Sequence, residues 1–225
     1  MPSKQNKGQQ KTGFTIIEVV LVLAIAGLIF LMVFVALPAL QRSQRDTQRR
    51  NDMSRVDTSL VQYQTNHSNQ NNNLPNVTTA SVWTGTKDFN GTNACASTAE
   101  ACTFVRDYMN SGSADNNKIN EFNDPDGVPY NLVITPNWAD VADATKVTGA
   151  KFDDKNKLET KSATDSAGKT YSGVTIGGTD PFSQHVVYII PGARCIGDVA
   201  IKSEQRHFAV LYRLEGAGTY CIDDQ

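Results

Sequence analysis

An uninterrupted apolar run near the amino terminus constrains this chain more than any other feature. The run extends from Phe14 to Leu37 and contains a single charged residue, Glu18. Its length of about 24 residues corresponds to roughly 36 Å of α-helix, whereas the hydrocarbon core of a bilayer is roughly 30 Å thick. The sequence therefore predicts a membrane-spanning helix over residues 14–37.

The segment before this run is basic and does not have the form of an ordinary secretory signal. Three lysines precede the run, and the small residue Gly13 lies before it, whereas a removable secretory signal places small residues after its apolar core. No such site follows Ala36. We therefore expect the apolar helix to remain in the mature protein. The lysines are Lys4, Lys7 and Lys11.

Glu18 is the anomaly of the membrane segment. A carboxylate in hydrocarbon costs a few kcal/mol, so an ionisable residue inside a span indicates a functional site and needs a partner. We expect that partner to come from another copy of the chain. The alternative is a carboxylate at a helix end that reaches the membrane surface and has no role.

The basic leader ending in Gly13, followed by Phe14, three further residues and Glu18 in an apolar helix, resembles the class III signal of type IV pilins. The resemblance extends from Lys4 to about Tyr63. It implies that a membrane aspartyl prepilin peptidase removes residues 1–13 and methylates the new amino terminus at Phe14. It also implies that Glu18 meets the Phe14 ammonium group of a neighbouring subunit during filament assembly.

Gly27 and Pro38 mark a second feature of the helix. Glycine weakens a helix interior and proline removes a helical hydrogen bond, so the stretch between them is a candidate for local unwinding. In pilins a comparable pair brackets a segment that extends in the filament. The alternative is a simple kink at Pro38 where the helix leaves the membrane.

Residues 38–65 are predicted to continue the helix in amphipathic form, with a stripe of apolar residues at helical spacing. Arginines and aspartates alternate on the rest of this segment, which predicts a solvated face and no specific nucleic-acid partner. The stripe consists of Met53, Val56, Leu60 and Tyr63, and the arginines are Arg42, Arg45, Arg49, Arg50 and Arg55.

Residues 66–225 are long enough for one globular domain. A capping-box pattern at 97–100 predicts a short helix to about Asn110, and residues 139–181 are expected to form a variable, exposed excursion. Runs of β-branched and aromatic residues joined by short connections favour an antiparallel sheet. The predicted class is α+β, pilin-like, with the long helix packed on that sheet. The predicted strands are Tyr130 to Thr135, His185 to Ile190, Phe208 to Leu214 and Thr219 to Ile222.

The chain has four cysteines, which permit three pairings. Sequence proximity favours a Cys95–Cys102 bond, which leaves Cys195 with Cys221 around the last hairpin. A disulfide-closed region near the carboxyl terminus also resembles pilins. The alternative, a zinc site, lacks the Cys-x-x-Cys spacing and the paired histidines that such sites use.

The string from Asp124 to Tyr130 resembles the Asp-Pro-x-Gly-x-Pro-Tyr sequence of major pseudopilins from type II secretion, which calcium often stabilises. Asp124 and Asp126 are calcium candidates, but calcium takes six to eight oxygens, so a simple turn is the favoured interpretation. No nucleophile turn, phosphate loop or zinc-peptidase helix is present, and we expect neither an enzyme nor a cofactor.

The orientation of the membrane segment is not settled by charge alone. The arginines after the span outnumber the lysines before it, which would place the carboxyl-terminal side in the cytoplasm. Four cysteines and the resemblance favour the opposite orientation, with the domain outside and then on a surface pilus. The expected partners are lipid, prepilin peptidase, an assembly platform with its ATPase, and further copies of the chain.

The expected function is that of a filament subunit used for adhesion, twitching motility or DNA uptake. A pseudopilin of a secretion system is the alternative from the same superfamily. A single-pass anchored protein that never polymerises is the alternative from another class.

Overall fold

The computed structural model describes residues 13–67, 81–84, 104–109, 123–128, 130–135, 158–177, 185–216 and 218–224. The chain divides into two compact units, Met1–Arg42 and Ser43–Gln225. Residues 1–12, the capping-box pattern at 97–100 and the predicted Cys95–Cys102 bond lie outside the described residues.

One long helix, α1, extends from Ile16 to Asn66. The prediction that the apolar run continues into an amphipathic helix is therefore confirmed. Among the described residues, α1 is the one helix that is long and apolar enough to cross a membrane.

The apolar side chains of the first unit are exposed. Phe14 is 88 % exposed, Leu31 69 % and Phe34 72 %. Soluble proteins rarely leave a continuous apolar surface of this extent uncovered. The exposed apolar surface is compatible with a membrane-spanning segment.

In the second unit, the predicted apolar stripe of α1 is buried. Met53, Val56 and Leu60 are fully buried, and Tyr63 is 8 % exposed. They share a core cluster with one face of a β-sheet, with Phe104 and with Met109. Phe104 directly precedes a short π-helical turn at Val105–Met109, and Met109 is its last residue. The predicted packing of helix on sheet is confirmed.

The first sheet has five strands in the order β1-β2-β5-β8-β9. Neighbouring strands are antiparallel except for β2 and β5, which are parallel. Each of the four strands predicted from the sequence is present, within two residues at either end. The strands are β1 Ser81–Thr84, β2 Asn131–Ile134, β5 Val186–Pro191, β8 Phe208–Leu214 and β9 Gly218–Asp223.

A second sheet of four antiparallel strands has the order β3-β4-β7-β6. It includes residues 158–164 and 170–176, which lie in the segment predicted to be a variable, exposed excursion. Most residues of 159–172 are exposed as predicted, but the segment forms two strands, and Leu158, Val174 and Ile176 are buried. Most of β3 is polar and exposed, so it lacks the alternation that would have revealed it. The strands are β3 Leu158–Thr164, β4 Thr170–Ile176, β6 Ala193–Ile196 and β7 Val199–Lys202.

Alternate residues of the central strands contact different layers. In β8, Phe208, Val210 and Tyr212 lie in the cluster that contains the α1 stripe, whereas Ala209 and Leu211 lie in a second cluster with side chains of the four-stranded sheet. Successive side chains of a strand point to opposite faces, so the five-stranded sheet is the middle layer of the second unit.

Candidate functional site

The predicted processing junction lies just outside α1. Gly13, Phe14 and Thr15 are exposed and non-helical, and the helix begins at Ile16. A Cβ atom added at Gly13 would meet nothing within 4 Å. The Gly13–Phe14 peptide is therefore an accessible segment directly before the apolar helix.

Thr15 and Glu18 form a reciprocal cap at the start of α1. The Thr15 N–H donates to Glu18 Oε2 at 2.9 Å, and the Thr15 hydroxyl donates to the same oxygen at 2.8 Å. The Glu18 N–H donates in return to Thr15 Oγ1 at 3.4 Å. This is a capping box, which satisfies two backbone donors that a helix start leaves without partners. The Thr-Ile-Ile-Glu spacing carries this signal, although the cap was not among the features predicted from the sequence.

The cap uses one oxygen of the Glu18 carboxylate. Both bonds that Glu18 accepts end on Oε2, and within the described parts of the chain Oε1 has no hydrogen-bond partner. The helix start is exposed. The second carboxylate oxygen is therefore accessible to a cation from outside the chain.

Gly27 and Pro38, the candidate unwinding positions, both lie inside an uninterrupted α1. A Cβ atom at Gly27 would meet nothing within 4 Å, so packing within the subunit does not require glycine there. Unwinding in a filament stays a prediction.

Arg49 is the largest fully buried side chain among the described residues, with 1 % exposure. Its Nε and Nη2 atoms donate to the two carboxylate oxygens of Asp124, both at 2.7 Å. Its Nη1 donates to Asp46 Oδ1 at 3.0 Å and to Glu215 Oε2 at 3.1 Å. The predicted solvated face is therefore wrong at Arg49, because the guanidinium faces three carboxylates at once. Arg49 and Asp124 are 75 positions apart, so no local sequence pattern reveals the pair.

The same helical turn holds the connection between β8 and β9. Arg45 donates to both carboxylate oxygens of Glu215, at 2.8 and 2.6 Å. Asp46 accepts the backbone N–H groups of Glu215 and Gly216, at 2.9 and 3.0 Å. One face of α1 thus fixes this turn as well as the loop that carries Asp124.

Asp124 is buried and remains a carboxylate. Burial alone would raise its pKa, but hydrogen bonds from Arg49 and Tyr212 and the Arg49 charge outweigh this effect and lower the pKa. The Tyr212 hydroxyl donates to Asp124 Oδ2 at 2.7 Å. The Arg45 hydrogen bonds likewise lower the pKa of Glu215, to about 2. Asp124 and Glu215 are therefore both ionised at neutral pH.

The calcium candidates Asp124 and Asp126 lie in the predicted turn, where the Gly127 N–H donates to the Asp124 carbonyl at 2.8 Å. Ligand atoms of Asp124, Asp126 and His185 lie within 4.8 Å of one another. However, Arg49, Tyr212 and the Asp126 N–H already occupy the Asp124 carboxylate. His185 Nε2 lies 3.3 Å from Asp126 Oδ2. A nitrogen ligand and a carboxylate already paired with arginine do not fit calcium, which takes oxygen ligands.

Asp57, on the same helix, has no such compensation. Its Oδ1 atom is buried without a hydrogen-bond partner among the described residues. Burial, together with the charges of Asp224 and Asp223, raises its pKa to about 6. The ionised Asp57 carboxylate therefore destabilises the folded state relative to its protonated form.

The predicted Cys195–Cys221 disulfide is confirmed. It joins β6, at one edge of the four-stranded sheet, to β9, at one edge of the five-stranded sheet. It thus ties the two β layers together. Closing a loop of this length contributes roughly 3 to 4 kcal/mol in the chain-entropy model.

Comparisons with protein-family models, curated proteins and solved structures give no match for this chain. The assignment of function therefore depends on the residues and their geometry.

Proposed function

We propose that the chain is the structural subunit of a type IV pilus-like filament. A prepilin peptidase cleaves it after Gly13 and methylates Phe14, the mature subunit waits in the membrane, and an assembly platform with its ATPase polymerises it. Support comes from a non-helical Gly13–Phe14 junction followed directly by an exposed apolar helix and a helix-on-sheet domain.

Glu18 is the observation that carries the proposal. It is the one charge in the apolar run of residues 14–37, whose side chains are largely exposed, and one of its carboxylate oxygens is accessible. In a filament core, the new Phe14 ammonium group of a neighbour supplies the missing cation. A buried charge pair is tolerable, whereas removal of one partner strands the other. The pair therefore sets the register between subunits.

The remaining partners follow from the same mechanism. The apolar face of residues 14–37 contacts lipid before assembly and other copies afterwards. The domain lies outside the cytoplasm, where the Cys195–Cys221 bond is stable, and forms the filament surface used in adhesion, twitching motility or DNA uptake.

A pseudopilin of a secretion system is the second candidate. The Asp124 to Tyr130 string and its turn favour it. The disulfide between the two sheets favours a filament exposed outside the cell. The alternative from another class of protein is a single-pass anchored surface protein that never polymerises.

Glu18→Ala tests the proposal. The variant should reach the membrane and be cleaved, because loss of a carboxylate lowers the cost of insertion. It should form few or no filaments, because the Phe14 ammonium group of a neighbour then has no counterion. Glu18→Gln keeps the shape without the charge and should fail in the same way.

Electron microscopy for filaments and mass spectrometry for cleavage separate the two steps. Thr65→Val, on an exposed face at the far end of α1, is the control and should assemble normally. Abundant filaments from Glu18→Ala, with no other subunit present, would contradict the proposed role of the charge.

A further inference from the structure

The Thr15 side chain determines where α1 begins. We propose that Thr15 is a positioning residue for processing, because its cap stops the helix short of the Gly13–Phe14 peptide and keeps that peptide in a form that a peptidase can bind. This inference rests on the proposed function, since it assumes cleavage after Gly13.

The hydrogen bonds at the helix start support this role. In a helix that continued toward the amino terminus, the Glu18 N–H would donate to the Phe14 carbonyl and the Ile17 N–H to the Gly13 carbonyl. Instead, the Glu18 N–H donates to Thr15 Oγ1. The first backbone acceptor of the helix is the Thr15 carbonyl, which receives the Val19 N–H at 3.3 Å.

As a result, the carbonyl groups of Gly13 and Phe14 accept no backbone hydrogen bond from the described residues. Recognition by strand addition requires the free N–H and C=O groups of an extended substrate. A helical backbone uses those groups internally. The cap therefore leaves the backbone of the junction available.

Cleavage itself is hydrolysis by the aspartyl peptidase and consumes one water molecule. The water oxygen bonds to the Gly13 carbonyl carbon, the bond from that carbon to the Phe14 nitrogen breaks, and a water proton passes to the nitrogen. Gly13 becomes a carboxyl terminus and Phe14 a free amino terminus. The Gly13 carbonyl group must therefore be accessible to the peptidase, whereas a helical turn over residues 13–17 would use its oxygen for an internal hydrogen bond.

The roles of Thr15 and Glu18 are separable. In Glu18→Ala, the Thr15 hydroxyl can still accept the backbone N–H of residue 18, so half of the cap remains. In Thr15→Val, the acceptor is lost although the side chain keeps its shape. Valine is a poor residue at a helix N-cap, whereas serine and asparagine are at least as good as threonine.

The first experiment measures the cleavage rate of the full-length precursor in membranes by a prepilin peptidase. Thr15→Ser and Thr15→Asn should be cleaved at close to the wild-type rate. Thr15→Val should be cleaved about fivefold more slowly. A typical N-cap stabilises its helix start by about 1 kcal/mol, which changes the equilibrium between the capped and uncapped helix start about fivefold. Thr65→Val is the matched control and should be cleaved normally. Equal rates for threonine and valine, or loss of cleavage in the asparagine variant, would overturn the inference.

The second experiment needs no peptidase. The ¹³C chemical shifts of Phe14 in the full-length precursor, in detergent micelles, report whether the residue is helical. Non-helical shifts are expected in the wild type and in Thr15→Ser, and shifts toward helix in Thr15→Val. Unchanged shifts in Thr15→Val would overturn the inference. An uncleaved wild type would contradict the proposed function, whereas these shifts would still test the cap.

Discussion

At the scale of single residues, the buried Arg49–Asp124 pair joins α1 to a loop of the second unit. A buried charge is expensive unless hydrogen bonds surround it, and here the guanidinium has three carboxylate partners. Such an arrangement specifies a single position for the helix, because sliding α1 by one turn would separate Arg49 from Asp124.

Arg49→Met is expected to destabilise the second unit by about 3 to 5 kcal/mol, because it leaves the Asp124 carboxylate buried without its counterion. Denaturant unfolding of the full chain in detergent measures this change. Arg55→Met, at a side chain 53 % exposed, is the control and should change stability by less than about 1 kcal/mol.

The Arg49→Met/Asp124→Asn double variant should cost less than the sum of the two single changes, since each removes the partner of the other. Simple additivity would contradict the account of the pair.

Asp57 predicts an unusual dependence of stability on pH. Its folded pKa of about 6 lies above the ordinary value of 3.8. The stability that its protonated form contributes is fully present below the ordinary value and is lost as pH rises through about 6. Asp57→Asn should therefore have about the same free energy of unfolding as the wild type at pH 4 and a larger one at pH 8.

The expected gain at pH 8 is about 1 to 2 kcal/mol, after allowance for solvent screening. Thermal unfolding of the full chain at the two pH values is the measurement. Glu204→Gln, at a side chain 76 % exposed, is the control. An equal effect of Asp57→Asn at both pH values would show that its ionisation is not responsible.

At the scale of elements, sequence patterns predicted the elements with a strong apolar signal. The α1 stripe has helical spacing, and strand β8 is rich in apolar residues and buried along almost its whole length. Strand β3 lacks such a signal, because five of its seven residues are exposed. The helix cap at Thr15 was readable from local spacing, whereas the Arg49–Asp124 pair joins residues far apart in the chain and required the structure.

The close approach of β4 and β7 gives a prediction for the second sheet. A Cβ atom at Gly173 would lie 2.4 Å from Val199 Cγ1 and 2.5 Å from the Ala200 carbonyl oxygen. Gly173→Ala should therefore destabilise the unit by about 1 to 3 kcal/mol, the usual cost of overpacking. Denaturant unfolding measures it, with the exposed Ser172→Ala as the control. Unchanged stability would mean that the strands can separate without cost.

At the scale of the whole molecule, the two units have different requirements. The second unit buries its own core and carries a disulfide between its sheets. The first unit exposes an apolar helix surface that the chain itself does not cover. In the proposed mechanism, lipid before assembly and further copies of the chain afterwards cover this surface, and the second unit keeps its own core.

The proposed function requires that the chain is cut after Gly13 and then polymerised. The intact mass of this protein in filaments sheared from the cell surface tests this requirement. The expected result is a chain that begins at Phe14 with one methyl group on its amino nitrogen. A chain that retains Met1 to Gly13 in filaments, or one found in the membrane and never in filaments, would contradict it.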